Sequence, residues 1–214
     1  MITNAKWRIR CEERHIPIMS TQTQWTIEYI LMQQKPKQCA EIGSAVWYSS
    51  SIIASIIQWR QGQISSFEIA HNAYAQALYY TKWVPNLTIY PFDVTRIDGE
   101  KLMPRYYDFV FIDGQKNQYD QYLMKIEPFL HRESVIVCDD VIKFQNKLQW
   151  LYRYVSKMQL FYEIIQTEAD DGIMIIGPKA KIKELSKGLT DNKNGKIMQS
   201  LLTRRGDHEV VGGL

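Results

Sequence analysis

Short apolar runs alternate with longer segments of helical periodicity along most of this chain. The clearest run, Tyr107–Ile112, is apolar at nearly every position, as is typical of a strand buried on both faces. In Gln22–Gln34, by contrast, apolar residues recur every three or four positions, which favours a helix. By these two patterns we predict strands at Gln38–Ile42, Ile64–Ile69, Leu87–Tyr90, Tyr107–Ile112, Ser134–Cys138, Phe161–Thr167 and Ile173–Ile176. Helices are predicted at Gln22–Gln34, Ile52–Trp59, Ala70–Tyr80, Tyr119–Leu130 and Leu148–Met158.

The order of these elements predicts the class of fold. Strands that alternate with helices form mostly parallel sheets with helices on both faces. The last two strands flank the turn Ala169–Gly172, which is typical of a β-hairpin. We therefore predict an α/β protein with a seven-stranded, mostly parallel sheet, in which the hairpin adds an antiparallel strand at the edge.

Length and charge predict how the chain is divided. Its 214 residues suit one domain, and 45% hydrophobic with 23% charged residues is ordinary for a globular protein. Residues 1–178 hold 18 Lys and Arg against 19 Asp and Glu, whereas residues 179–214 hold 8 against 4. We predict a domain over 1–178, with a helical cap at 1–35, and a basic C-terminal tail over 179–214. For this tail a solvated, flexible end and a contact with RNA both stay open.

The sequence carries no sign of a membrane span or of secretion. No run approaches 18 apolar residues, and Met1–Arg10 has no apolar stretch of signal-peptide length. The three cysteines, Cys11, Cys39 and Cys138, are too few and too scattered for a disulfide framework. These features predict a cytoplasmic protein that has no membrane partner.

Acidic residues lie at or just beyond the carboxyl end of almost every predicted parallel strand. In open α/β sheets, ligands bind beyond the carboxyl ends of the strands, so these acids are candidates for a site. They are Glu41, Glu68, Asp93, Asp113, Asp139 and Asp140. Among the aromatic residues, those that we expect to line the cleft are Tyr48, Tyr119 and Tyr122.

The segment Glu41–Ser49 predicts a strand, a tight turn and the start of a helix. At such a turn the backbone can approach a nucleotide-like ligand, and Gly43 supplies the flexibility. Glu68 lies 25 residues after Gly43, at the next strand end, where an acid accepts hydrogen bonds from ribose hydroxyls. Each feature alone also fits a plain turn or a surface acid, but together they favour a nucleotide-like cofactor.

A second candidate site is formed by Asp113, Asp139 and Asp140, which end two predicted neighbouring strands. Carboxylates that converge there repel one another, and a hard cation such as Mg²⁺ relieves the repulsion. Lys116, one turn beyond Asp113, is expected to reach the same cleft. The alternative is that Asp139 and Asp140 only open a loop and that Lys116 is solvated.

Three stretches, 38–69, 107–130 and 134–142, resemble the cation-dependent, S-adenosylmethionine-dependent O-methyltransferases, the family that includes the catechol O-methyltransferases. The most specific part is Tyr107–Asp113 followed by Lys116 and Tyr119. Within this family, His15–Met19, with His15 placed 28 residues before Gly43, is similar to the bacterial tRNA 5-hydroxyuridine methyltransferases. The resemblance covers residues 12–177 and implies a Rossmann-like class I methyltransferase fold with a final antiparallel strand.

The resemblance also implies roles for particular residues. The cofactor, S-adenosylmethionine, would contact residues along the carboxyl edge of the sheet. Its methionine end would lie against Glu41, Gly43, Ser44 and Ser49, its sulfonium near Met19, its ribose on Glu68, and its adenine beside Phe92, Asp93 and Val94. Asp113 would also bind the cofactor. Asp113, Asp139 and Asp140 would hold Mg²⁺, and Lys116, aided by Asp113, would be the catalytic residue.

The implied chemistry is Mg²⁺-assisted methyl transfer to a hydroxyl group, with Lys116 accepting the proton if its pKa is lowered beside the metal. The preferred acceptor is 5-hydroxyuridine in tRNA, and a small phenol or catechol is the alternative. Trp47 stands where the family usually has glycine, and Asp140 replaces an asparagine. The segment Val141–Gln149 is also short, so a non-catalytic partner protein that keeps the fold stays open, as does a homodimer.

Overall fold

The computed structural model describes residues 4–13, 16, 18–96 and 106–191. Within these ranges the chain forms seven helices and seven strands. The helices are α1 (Asn4–Glu13), α2 (Thr21–Gln34), α3 (Tyr48–Ile57), α4 (His71–Thr81), α5 (Tyr119–Ile126), α6 (Gln149–Lys157) and α7 (Lys179–Asp191). The strands are β1 (Gln38–Ile42), β2 (Gln63–Phe67), β3 (Leu87–Tyr90), β4 (Tyr107–Ile112), β5 (Leu130–Cys138), β6 (Tyr162–Gln166) and β7 (Gly172–Ile176).

All seven strands join one sheet in the order β3-β2-β1-β4-β5-β7-β6. Strands β1 to β5 pair in parallel, whereas β7 is antiparallel to both β5 and β6. The predicted α/β class, strand number and final antiparallel strand are therefore confirmed. The predicted place of the antiparallel strand was wrong, because β7 lies between β5 and β6, and β6 forms the edge of the sheet.

Strand β4 shows why this sheet needs helices on both faces. Successive side chains of a strand point to opposite faces. Phe109 and Phe111 accordingly pack in the apolar cluster with α2, α3 and α7, while Val110 and Ile112 pack with α5 and α6. All four side chains are fully buried, so a polar substitution at any of them places an unsolvated group in one of the two cores.

One predicted helix ends earlier than its pattern indicates. The expected helix Tyr119–Leu130 stops at Ile126, and a short 3-10 turn, Glu127–Phe129, leads directly into β5. Pro128 lies in this turn, and proline has no N–H to continue an α-helix. Strand β5 therefore starts at Leu130 rather than at the predicted Ser134.

The region predicted as a basic tail starts with a packed helix. In α7, Ile182 and Leu185 are buried against the cluster that contains α2 and α3, so residues 179–191 lie on the domain. The rest of that region, residues 192–214, lies outside the described residues, as do His15 and Pro17 of the predicted site motif. Among the described residues, no helix is long and apolar enough to cross a membrane.

Candidate functional site

The carboxyl ends of four parallel strands lie at one level of the sheet. Ile42 of β1 pairs with Phe67 of β2 and with Ile112 of β4, which in turn pairs with Cys138 of β5. The residues that directly follow these strands are therefore neighbours along one edge. They are Gly43, Glu68, Asp113 and Asp139, four of the predicted site residues.

Gly43 occupies the point where the strand order changes direction, between β1 and β4. Its φ of +92° is unfavourable for any other residue, and a Cβ atom there would lie 2.5 Å from the carbonyl oxygen of Asp113. The turns after β1 and β4 can therefore approach each other only because residue 43 is glycine. In α/β sheets such a switch point is where a ligand crevice forms.

A cavity of about 210 Å³ opens at this position. Six of the predicted cofactor-binding residues line it, namely Gly43, Glu68, Phe92, Asp93, Val94 and Asp113. The other residues that line it are Ile42, Ala45, Phe67, Ile69, Gly114, Gln115, Gln118 and Tyr122. The cavity thus runs from the β1 turn to the β4 turn, with the acids Glu68, Asp93 and Asp113 around it.

The carboxylate of Glu68 is tied to the backbone on both sides of the cavity. Its oxygens accept hydrogen bonds from the amides of Ala45 and Ala70, each at 2.7 Å, and its side chain is almost fully buried. Glu68 therefore fixes the turn after β1 against the start of α4. A carboxylate oxygen has two lone pairs, so it can accept a further bond from a ligand.

Glu41 lies beneath the turn rather than in the cavity. It is fully buried, and its Oε2 accepts hydrogen bonds from the hydroxyls of Ser50 and of Ser66, the latter at 2.5 Å. Burial raises the pKa of Glu41 to about 7, although the serine hydroxyls, including that of Ser49, lower it in part. Its Oε1 and the Ser44 hydroxyl are buried with no hydrogen-bond partner in the described structure.

Met19 is separated from this cavity in the structure. Its side chain is buried in the core cluster formed with α2 and α3, and its carbonyl oxygen accepts a hydrogen bond from Arg8 Nη2 at 3.0 Å. Ser49 is likewise buried, in the first turn of α3. Their predicted contacts with the cofactor stay predictions.

The ammonium of Lys116 is surrounded by three oxygen atoms. Its Nζ lies 2.7 Å from Asp113 Oδ1 and 2.6 Å from Asp140 Oδ2, and it donates to the Tyr119 hydroxyl at 2.8 Å. The Tyr119 hydroxyl donates to the Asp139 carbonyl oxygen at 3.2 Å. This network joins the ends of β4 and β5 and brings together the predicted catalytic and metal-binding residues.

The charges in this network shift one another's pKa values. Burial lowers the pKa of Lys116, but Asp113 and Asp140 outweigh burial and raise it overall. Burial raises the pKa of Asp139 well above its ordinary value, and the nearby Asp113 and Asp140 raise it further. Without a metal ion, two carboxylates flank this single ammonium and raise its pKa. A Lys116 pKa lowered beside a metal stays a prediction.

These acids do not form the arrangement expected of a metal site. Lys116 Nζ lies between Asp113 and Asp140, and no group of three or more His, Cys, Asp or Glu among the described residues is placed to hold a metal ion. The donor types suit Mg²⁺, but their present positions suit an ammonium instead. The magnesium site stays a prediction.

Two residues that the sequence analysis did not single out extend this network. Asp171, at the start of β7, shares a hydrogen bond with Asp140, and this bond together with the charge of Lys116 holds the Asp140 pKa below its ordinary value against the effect of burial. The Phe144 ring centroid lies 5.8 Å from Lys116 Nζ, 5.8 Å from Lys143 Nζ and 5.1 Å from Lys147 Nζ. Asp171 lies in the hairpin turn and Phe144 in a loop, so the one sequence signal for either was the pair of lysines, Lys143 and Lys147, that flanks Phe144.

Trp47, which stands where the resembling family usually has glycine, does not line the cavity. Its side chain is buried, and its ring stacks on Tyr80 with centroids 4.2 Å apart, in a cluster with Ala77 and Ile89. The backbone accommodates it with a φ of 68°. Trp47 therefore anchors the turn to α4 and β3 and leaves the cavity open.

Comparisons with known proteins identify the family and support the fold. Residues 10–171 match the family model described as O-methyltransferase. A Staphylococcus aureus protein described as a caffeoyl-CoA O-methyltransferase has a similar structure, with a TM-score of 0.71 and 18% identity over 83% of this chain and 93% of that one. An O-methyltransferase from Bacillus cereus in complex with SAH has a TM-score of 0.69 and 17% identity over 82% of this chain and 90% of that one. The O-methyltransferase TomG from Streptomyces achromogenes, in complex with SAM, has a TM-score of 0.66 and 16% identity over 81% of this chain and 88% of that one.

Proposed function

Because this chain belongs to the O-methyltransferase family, we propose that it transfers a methyl group from S-adenosylmethionine to a hydroxyl group on a planar ring, with 5-hydroxyuridine in tRNA as the preferred acceptor. The observation that carries the proposal is the cavity at the β1–β4 switch point, which borders the Lys116 network. A cofactor cleft and a charged group that can meet the acceptor oxygen are thus adjacent through Asp113, which belongs to both.

The residues around the cavity fit a nucleoside cofactor with a methionine end. Glu68 offers carboxylate oxygens for ribose hydroxyls, and Phe92 and Val94 offer apolar contacts for an adenine ring. The turn after β1 would face the methionine end, and Gly43 and Ala45 of this turn line the cavity. When bound, S-adenosylmethionine supplies a methyl group that its sulfonium has already activated.

Phe144 and its lysines favour an acceptor that is planar and anionic. A ring stacked on Phe144 would lie near Lys116 Nζ, which is 5.8 Å from the Phe144 centroid. Lys143 and Lys147 would then be placed to meet phosphates next to that ring. These contacts support a nucleotide over a neutral phenol, and they are the reason that we rank the small phenol or catechol second.

In this scheme the acceptor hydroxyl releases its proton to solvent, and Lys116 positions the resulting oxyanion and stabilises its negative charge. As the oxyanion bonds to the methyl carbon, the bond from that carbon to the sulfonium sulfur would break, and the uncharged thioether would leave. The partners Asp113, Asp140 and Tyr119 hold the lysine Nζ in place, so little reorganisation is needed when the acceptor arrives. Holding the oxygen in line with the methyl group supplies the rest of the rate. We derive no step through a metal, because the acids are not arranged around one.

The test supplies S-adenosylmethionine and two acceptors, tRNA from cells that lack the gene and a small catechol, and follows methylated products by mass spectrometry. We expect methylation of a hydroxylated uridine in tRNA and loss of turnover in Lys116→Ala. The matched control is Lys125→Ala, which removes an exposed lysine from α5 and should keep activity. Methylation of the catechol alone would favour the second acceptor class.

Calorimetry with S-adenosylmethionine separates the enzyme from a non-catalytic partner protein. Micromolar binding together with turnover supports the proposal. Binding with no transfer to either acceptor would favour the partner protein, and no binding at all would refute the cofactor.

Magnesium assistance is a separate part of the proposal, supported by the resemblance and by the oxygen donors that Asp113, Asp139 and Asp140 offer at the ends of β4 and β5. We expect EDTA to abolish turnover and to leave S-adenosylmethionine binding intact, because Glu68 and Gly43 lie apart from Asp139 and Asp140. Full activity in excess EDTA would refute the metal requirement and leave methyl transfer untouched.

A further inference from the structure

We propose that the edge of the sheet opposite the cavity binds single-stranded nucleic acid. This surface, called here the amino-edge surface, consists of residues 35–37, 58–62 and 82–86, the three loops that precede β1, β2 and β3. It goes beyond the proposed function, because RNA binding there needs neither the cofactor nor the acceptor.

The three loops form one continuous surface. Strands β1, β2 and β3 are neighbours, and hydrogen bonds join the segments in front of them. The Gln63 amide donates to the Lys37 carbonyl oxygen at 2.7 Å, and Asn86 Nδ2 donates to the Gly62 carbonyl oxygen at 3.0 Å. The Ile64 amide donates to the Asn86 carbonyl oxygen at 2.9 Å, so the loops are held in a fixed relation to one another.

Two tryptophans on this surface are exposed, and each carries a cation over its ring. Trp59 is 67% exposed with Arg60 Cζ 3.8 Å from its ring centroid, and Trp83 is 73% exposed with Lys82 Nζ at 4.9 Å. Lys82 Nζ also lies 5.1 Å from the exposed Tyr79 ring. Flat aromatic rings beside basic side chains are the elements with which proteins bind single strands, since bases stack on the rings while the cations meet phosphates.

The charge of the surface matches a polyanion. Its three loops contain Lys35, Lys37, Arg60 and Lys82 and no Asp or Glu. The acid at the start of the neighbouring strand, Asp108, is engaged by the Lys37 and Gln38 amides and by His131. The acids of β1, β2 and β3 lie at the opposite edge, so the domain presents negative charge at the cavity and positive charge at the amino-edge surface.

Other occupants fit this surface less well. A second copy of the chain in a two-fold dimer would set the four cations against the same four cations. A lipid bilayer is bound by several apolar side chains, Trp, Phe and Leu, that insert together. The three loops contain no Leu or Phe beside Trp59 and Trp83, and each tryptophan ring is covered by a cation. The pairing of stacked rings with cations therefore favours nucleic acid.

Helix α4 connects the surface to the cavity. It starts beside Glu68, which lines the cavity, and ends at Thr81, next to Lys82. Its 11 residues span about 16 Å and carry no Asp, Glu, Lys or Arg. A strand of RNA held at the amino-edge surface can therefore follow α4 to the cavity over a few nucleotides.

The test measures binding of a fluorescein-labelled 12-nucleotide oligouridylate to the full chain by fluorescence anisotropy. We expect Trp59→Ala/Trp83→Ala to weaken binding at least tenfold, since two stacked bases are lost. Replacing Lys35, Lys37 and Lys82 by Gln should make the plot of log affinity against log salt shallower by about 2, since each lost phosphate contact removes about 0.7 from the slope. Circular dichroism verifies that each variant is folded.

The matched control is Trp150→Ala on α6. Trp150 is 59% exposed and also carries a cation, with Arg153 Cζ 4.8 Å from its ring, but it lies on another surface. The affinity of the Trp150→Ala variant for the oligouridylate should stay within twofold of that of the unchanged protein. An equal loss in Trp150→Ala, or no loss in the double variant, would overturn the proposal.

Two further measurements separate this surface from its rivals and from the proposed function. If the double variant binds the oligouridylate normally but loses binding to vesicles that contain anionic phospholipid, the surface is a membrane contact and the proposal is wrong. Transfer to a hydroxylated mononucleoside should be unchanged in the double variant. Failure of that transfer in every form of the protein would refute the methyltransferase reaction and leave the RNA surface to be judged by the binding data.

Discussion

Glu41 should make the stability of the protein depend on pH in the physiological range. The carboxyl group is fully buried, and burial raises its pKa from 4.5 to about 7. The folded protein therefore holds a proton there at pH values at which the unfolded chain has released it. The stabilising contribution is full below pH 4.5 and is lost as the pH rises through about 7.

The size of the effect follows from the shift. One pKa unit corresponds to about 1.4 kcal/mol, so the shift of about 2.5 units corresponds to about 3 kcal/mol between pH 4 and pH 8. Burial also raises the pKa values of Asp113 and Asp139, which act in the same direction. The slope of the unchanged protein is therefore not a sufficient test, and the informative quantity is the difference in slope when Glu41 is replaced.

The perturbation is Glu41→Gln, which keeps an oxygen for the hydroxyls of Ser50 and Ser66 but cannot ionise. Urea unfolding, followed by circular dichroism at pH values from 4 to 8.5 with EDTA present, gives the free energy of unfolding. We expect the variant to lose about 3 kcal/mol less than the unchanged protein over this range, whatever its absolute stability at pH 4. The control Glu13→Gln, at an exposed position of α1, should leave the slope unchanged. Equal slopes for Glu41→Gln and the unchanged protein would refute the reasoning.

Three further predictions concern the cavity and the C-terminal region. Glu68→Gln should weaken S-adenosylmethionine binding by roughly 1–3 kcal/mol in calorimetry, and unchanged affinity in the folded variant would remove Glu68 from the site. Gly43→Ala should lower the free energy of unfolding by at least about 1 kcal/mol in urea, since the φ of +92° disfavours alanine and its Cβ meets the Asp113 carbonyl; stability equal to the unchanged protein would contradict this packing. Deleting 192–214, which holds four Lys and Arg against two Asp and Glu, should reduce the salt dependence of tRNA binding, and equal salt slopes would mean that these residues make no phosphate contacts. Deleting 179–214 also removes the buried face of α7 and should lower Tm.

The sequence alone determined the local elements and the level at which the candidate site lies. The strands at Gln38–Ile42, Leu87–Tyr90 and Tyr107–Ile112 have the predicted bounds, because each is a short, mainly apolar run that a polar turn or glycine ends. The acids that follow these strands could also be placed at one edge, since parallel strands end on the same side. Periodicity is a property of neighbouring residues, so no knowledge of distant contacts was needed.

The tertiary structure decided which side chains contact one another and how those contacts shift their pKa values. That β7 inserts between β5 and β6 depends on pairing between distant segments, which a hairpin pattern does not specify. The Lys116 pKa is raised because Asp140, 24 residues away in the chain, reaches the same ammonium as Asp113. Trp47 leaves the cavity open because Tyr80 of a later helix stacks on it. Each of these features depends on the interaction energy between residues that are far apart in sequence. The pattern of hydrophobic and polar residues along the chain reports only on neighbouring residues, so it could not predict them.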